Sequence, residues 1–319
     1  MNVYLTFDIE VWCSSWKELS TSFQDSYSRN VYGRSQQGDY ALPKLLEILG
    51  KNKLHGVFFV EPLFSARFGL EYLRTIVKMI QDAGHEIQLH VHSEWVDEIS
   101  PPPLPNINSK RQHLYYYTLQ EQTQLIAYSI DLLHQAGVPQ VTAFRAGSFA
   151  ANVDTIAALQ HNNILIDSSF NMGVAVSGSD LRKQRNFYTP FEMNGVSCYP
   201  MSVFIDGMGR HRHAQLGACS FLEIKQALSN AHRLGFNDFV ILSHNFEMLK
   251  VDKHEPDRIV AHRFEKLCQY LAENPDRYTV SGWGGKNHRA SFKTYSDLPS
   301  TSFFATLLRL VEQAIRRII

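Results

Sequence analysis

Apolar stretches of strand character alternate with stretches of helical periodicity along nearly the whole chain, and this alternation limits the fold more than any other feature. The first strand runs from Asn2 or Val3 into Leu5-Thr6-Phe7-Asp8-Ile9-Glu10. An irregular polar stretch is expected over 14–38; Leu42, Leu45, Leu46 and Leu49 then recur at helical spacing up to Gly50. A strand over 56–60, a helix over 71–83 stopped by Gly84, and a strand over 86–90 follow. The second half repeats the pattern, with helices over 119–135, 153–159 and 221–234 leading to strands over 141–145, 164–167 and 239–242. Serial β-α units with short connections imply parallel strands. About seven of them predict an α/β chain closed, or nearly closed, into a barrel rather than an open doubly wound sheet. No Gly-rich phosphate loop follows the first strand, which removes the main support for a dinucleotide fold.

At 319 residues, with 44% hydrophobic and 19% charged, the chain can bury a large core. Lys+Arg and Asp+Glu are equal at 31 each, so no global field recruits nucleic acid. Cys13, Cys198, Cys219 and Cys268 are far apart and form no CxxC pair, as expected of isolated reduced thiols. The first residues lack the charged, apolar and small-residue pattern of an export signal, so a cytoplasmic protein is expected. No apolar run approaches the roughly 20 residues that span a bilayer.

In such barrels chemistry gathers at the C-terminal ends of strands. Asp8 and Glu10, two apart at the end of the first strand, point to one side of an extended chain, so one can serve a metal and the other a reacting water. The third strand ends in His90-Val91-His92-Ser93-Glu94, and imidazoles two apart suit a zinc site, as they also suit a pair of hydrogen-bonded histidines. Other strand ends carry Phe144-Arg145-Ala146-Gly147, Asp167-Ser168-Ser169 and Leu242-Ser243-His244-Asn245.

The ordered set Thr6-Phe7-Asp8, Gly84-His85-Glu86-Ile87 followed by His90, Phe144-Arg145, Asp167, and Leu242-Ser243-His244 resembles the five motifs of the polysaccharide deacetylase family, the NodB-homology or carbohydrate esterase family 4 group. The resemblance covers about residues 2–283 and implies a distorted (β/α)7 barrel that removes N-acetyl groups from sugars with a bound metal. By resemblance Asp8 is the general base, Arg145 holds it, His244 is the general acid and Asp167 tunes it. The chain departs from the pattern twice. Ile9 replaces the second of two adjacent acids, leaving Glu10 as its substitute, and Glu94 stands four after His90, where the family has histidine. The expected metal ligands are Glu10, His90 and His92, with Glu94 as rival to His92; zinc is the first choice, with cobalt, nickel or manganese as alternatives. An N-acetylated saccharide, small or lipid-linked, such as a surface-glycan precursor, is the expected substrate. Hydrolysis of another C–N bond, such as a cyclic amide, or non-catalytic carbohydrate binding are the rival readings.

Tyr115-Tyr116-Tyr117, Trp12 and Trp95 are either sugar platforms or packing, and His211-Arg212-His213 resembles a mobile polar loop. A barrel domain over 1–284 is expected to be followed, over 285–319, by a polar linker and an amphipathic helix. In that helix Phe304, Leu307, Leu308, Val311, Ile315 and Ile318 oppose Arg309, Arg316 and Arg317. Packing against the barrel or a second subunit is the expected use of residues 303–319, with a peripheral membrane contact as the alternative.

Overall fold

The computed structural model describes residues 1–13, 15–105, 107, 109–174, 187–250, 255–284 and 295–318. They form two compact units: Met1–Gly56 with Val203–Ser281 and Ser296–Ile319, and Val57–Ser202 with Gly282–Tyr295.

The first unit is built on the strand Asn2–Ile9, buried along almost its whole length. Because both faces are covered, the run Val3-Tyr4-Leu5 is continuously apolar. It pairs in parallel with Asp238–His244, in a register that runs from Asn2 opposite Asp238 to Asp8 opposite His244. The chemistry-bearing ends of two strands distant in sequence therefore coincide. Thr279–Val280 adds a short parallel pairing at the strand's start. The expectation of irregular structure over 14–38 is corrected: Leu19–Tyr27 is an α-helix extended by a wide turn, Ser28–Tyr32. Its buried Leu19, Phe23 and Tyr27 recur every four residues, but the serines, Thr21, Gln24 and Asp25 between them mask the stripe. Gly33, at φ +62°, ends this segment where a Cβ would lie 2.7 Å from the Ala41 nitrogen. The helix Arg258–Ala272, unassigned from sequence, buries Val260, Phe264, Leu267, Cys268 and Leu271 along with Arg263.

His211–His213 is also corrected: it is a strand, paired antiparallel with Val203–Ile205, not a polar loop. The last helix, Phe303–Ile318, packs on the first unit through the side that carries Arg309, Glu312 and Arg316 rather than through its apolar face. Arg309 bonds Asp206 at 3.1 Å and Glu223 at 3.0 Å, Arg263 reaches Glu312 at 2.6 Å, and Arg316 pairs with Asp257. The reason lies beneath it. Asp206 and Glu223 are buried carboxylates, and burial of a charge demands a counter-charge. Residues 285–294 of the expected linker lie outside the described residues.

In the second unit Gly56–Val60, Glu86–Val91, Ala143–Ala146, Ile166–Asp167 and Val196–Cys198 run parallel in that order, and Phe191–Met193 closes the edge antiparallel. Val57 to Val60 are wholly buried. Helices Leu70–Asp82 and Leu119–Gln135 match their expected ranges within a residue, because each repeats apolar residues at helical spacing, with Gln122 and Ser129 buried among those of the second, and each has a glycine stop, Gly84 or Gly137, at positive φ. Thr118 and Glu121 form a capping box at the start of the second helix.

Candidate active site

The first unit brings Asp8, Glu10 and His244 together, with one ligand-type atom of each within 4.8 Å of the others. Asp8 Oδ2 lies 4.0 Å from His244 Nε2, as the strand register requires. Asn245 fixes the backbone beside them. Its amide accepts from Glu10 N at 3.2 Å and donates to Glu10 O at 3.0 Å, while its own N–H donates to Asp8 O at 3.1 Å. The Trp12 indole donates to Glu10 Oε2, so this tryptophan serves the carboxylate directly.

Behind His244 stands Glu247, which the sequence reading missed. Its Oε1 bonds His244 Nδ1 at 2.8 Å. The carboxylate also accepts from Gly217 N at 2.6 Å, Ser243 Oγ at 3.2 Å and the Gln215 amide. A Cβ at residue 217 would come 2.9 Å from Glu247 Oε2, so glycine permits this close approach. Burial works against ionisation of Glu247, but the bonds from His244, Gln215 and Gly217 overcome it and hold its pKa below the usual carboxylate range. For His244 burial opposes the charged form; the Glu247 hydrogen bond, then the charges of Glu10, Glu247 and Asp8, outweigh it and push the imidazole up to about 9. The spacing His244-Asn245-Phe246-Glu247 was the available signal: a turn brings residues three apart together.

The second unit holds the two other histidines side by side, both buried, with ring centroids 4.8 Å apart at 81°. His90 Nδ1 lies 2.8 Å from the carbonyl of Arg145, its register partner. A carbonyl only accepts, so Nδ1 carries the hydrogen, and in the neutral ring Nε2 carries the lone pair. His92 Nδ1 faces Glu94 Oε2 at 3.3 Å, which favours the same tautomer. Two imidazoles oriented through Nδ1 by oxygen acceptors fit a divalent metal. Glu94, the rival ligand, is the acceptor behind His92. Lys110 fixes the turn that carries it, donating to Glu94 O at 2.7 Å and bonding Asp97 and Glu98. Gly147 makes room for the ring: a Cβ there would lie 2.6 Å from His92 Nδ1. The next two residues, Ser148 and Phe149, have φ of 55° and 54°, a strained pair at the strand's end.

Arg145 is fully buried, its guanidinium 4.1 Å from the Phe59 ring centre and donating to Ser168 O at 3.2 Å and Ser168 Oγ at 3.1 Å. Ser169 donates to both oxygens of Asp167, at 2.6 and 3.0 Å. Burial pushes Asp167 up to about 6, with Ser169 and the Arg145 charge opposing it. Among the aromatics, Trp95 is core, packed edge-on against Phe64 and Phe68, and Tyr117 is buried beside Arg111. Tyr116 is exposed, and with Tyr115 stacks about His113.

A structure from Mycobacterium smegmatis assigned as a polysaccharide deacetylase is similar at TM-score 0.56 and 19% identity, covering 88% of this chain and 86% of the other. One from Pseudomonas aeruginosa PAO1 with the same assignment gives 0.52 at 12% identity, covering 88% and 87%. At such identities the likeness shows the fold, a distorted (β/α) barrel of the NodB type. No curated protein matches the sequence. The profile described as polysaccharide deacetylase matches residues 2–165, just over half of the chain, so the chain belongs to the polysaccharide deacetylase family.

Proposed function

We propose that the protein is a metal-dependent hydrolase that removes an N-acetyl group from an N-acetylated saccharide. The observation that carries the reading is the pairing of Asp8 with His244 at 4.0 Å, with the ionised Glu247 behind the imidazole. Amide hydrolysis needs a base for the attacking water and an acid for the departing nitrogen. Asp8 takes the proton from water. His244, kept protonated through neutral pH, delivers its Nε2 proton to the leaving amine while Glu247 steadies the ring from Nδ1. The ligands in this proposal are those of the sequence motifs, His90 and His92 with Glu10, and the tautomers of both imidazoles suit that role. When bound, the metal, zinc first, supplies Lewis acidity toward water and the acetyl oxygen. Arg145 carries the carbonyl that orients His90, and Asp167 offsets its buried charge.

The test combines elemental analysis with acetate release from N-acetylated mono- and oligosaccharides, soluble and lipid-linked. Stoichiometric metal, acetate from at least one saccharide, and loss of acetate release in Asp8→Asn with metal retained are expected. A metal-free parent that stays so after incubation with divalent ions would overturn the proposal.

A further inference from the structure

The last helix, Phe303–Ile318, is amphipathic in the reverse of the usual sense. Its polar side is spent on the first unit, through Arg309, Glu312 and Arg316. Its outward side is apolar: Phe303, Phe304, Leu307, Leu310, Val311 and Ile315 are each 38 to 67% exposed. This stripe is about 18 Å long. Met208 extends it. The turn over 206–210 lies against the start of the helix, where Gly207 donates to Thr306 Oγ1 at 2.9 Å and a Cβ at Gly207 would meet the Phe303 backbone at 2.3 Å.

Charge selects the occupant. No position of the stripe is acidic, and both ends are basic. Arg210 is exposed on the turn beside Phe303, and Arg317 is exposed at the far end. There Ile315 also borders a cavity of about 450 Å³ with Lys250, Arg258 and Arg316. Glu255 pairs with Lys250 and Asp257 with Arg316, whereas Arg258 bonds the neutral Gln37, so among the described residues of the lining three cations face two acids, a net charge of +1. A second copy laid stripe on stripe would set Arg317 against Arg210 or against Arg317, cation against cation. A lipid surface bearing anionic headgroups satisfies both the apolar stripe and its basic ends. No helix among the described residues is long and apolar enough to cross a membrane, so this one would lie in the interface.

We infer that the stripe of Phe303–Ile315 with Met208 is a docking surface for an anionic lipid bilayer. The inference stands apart from the hydrolase reading, although a bilayer would also bring the protein to a lipid-linked saccharide.

The experiment is co-sedimentation of the full chain with vesicles of phosphatidylcholine alone or mixed with phosphatidylglycerol. Light scattering of the free protein and acetate release from a soluble saccharide are measured in parallel. Salt-sensitive binding to the mixed vesicles is expected. Phe304→Ser/Leu307→Ser should weaken it by roughly a hundredfold, about tenfold for each partly buried side chain. Arg258→Glu/Arg317→Glu should weaken it at low salt while leaving binding salt-insensitive. All four positions are on the surface, so circular dichroism and soluble-substrate activity should match the parent. The inference is overturned if the parent fails to sediment with mixed vesicles, if it binds both vesicle types equally, or if the serine variant binds as the parent does while losing self-association seen by light scattering. Inactivity toward every saccharide, with vesicle binding intact, would strike the hydrolase proposal and leave this one standing.

Discussion

Replacing Glu247 by Gln keeps the shape of the side chain and an acceptor for Gly217 N, but removes the charge facing His244 Nδ1 at 2.8 Å. A hydrogen bond to a charged group contributes about 1.5–3 kcal/mol, which is about 1–2 pKa units at 1.36 kcal/mol each. His244, up at about 9 in the parent, should therefore titrate at roughly 7–8 in the variant, since burial still opposes its charge. The sign follows. A pKa raised from 6.5 to about 9 contributes stability that is whole below 6.5 and fades as pH rises through 9. An acid with that pKa loses its proton, and its catalytic role, over the same upper limit. The assay is kcat/KM for acetate release across neutral and alkaline pH, beside an NMR titration of the His244 ring in the metal-free protein. Glu247→Gln should move the alkaline limb and the ring titration acidward together, with the acid limb unmoved. If neither moves while the variant melts like the parent, Glu247 is only packing, and the account of the acid fails.

Other substitutions probe separate parts of the site. Gly147→Ala drives a methyl into the space of the His92 ring and should weaken metal binding by about 10–100-fold, read by chelator competition, with helicity unchanged. Asp8→Asn should lower kcat by about 10²–10⁴-fold while elemental analysis still finds metal, whereas Glu10→Gln should lose the metal itself. Arg309→Met strands Asp206 and Glu223 as buried carboxylates and should cost about 3–5 kcal/mol in urea unfolding; near-parent stability would refute the view that this pair clamps the last helix.

Much of the architecture was legible because parallel strands buried on both faces leave uninterrupted apolar runs. Glycines at positive φ also mark where helices stop. The missed helices fail that test in different ways. Leu19–Tyr27 turns to the core only three large apolar residues, four apart, and the polar Ser26, and in Arg258–Ala272 the buried Arg263 interrupts an otherwise plain stripe. Short strands such as Val203–Ile205 and His211–His213 offer too few residues for an alternation to register. The motif residues could be named because they sit at strand ends, but their partners could not. Nothing in composition says that Glu247, rather than solvent, meets His244 Nδ1, or that Gly147 is glycine because an imidazole occupies its Cβ position. The last helix misled for a physical reason: periodicity reveals that a helix has two faces, but the buried acids of a distant segment decide which face turns inward.

The two perturbed groups in the separate units bound a pH window together. Asp167 is raised to about 6, so below that pH it becomes a neutral acid and ceases to offset the buried Arg145 guanidinium beside it. Arg145 carries the carbonyl that sets the His90 tautomer, and disturbing it reaches a proposed metal ligand. His244 sets the other edge, near 9 in the metal-free protein. Between the two, Asp167 is charged and His244 protonated, the combination in which both networks are satisfied. Asp167→Asn removes the lower titration and mimics its acid form at every pH. It should depress metal affinity at pH 7.5, remove the step near pH 6 from the acid limb of kcat/KM, and leave the alkaline limb where it was. An acid limb that persists unchanged in Asp167→Asn would assign the lower edge to another group and break the link between this carboxyl and the histidine pair.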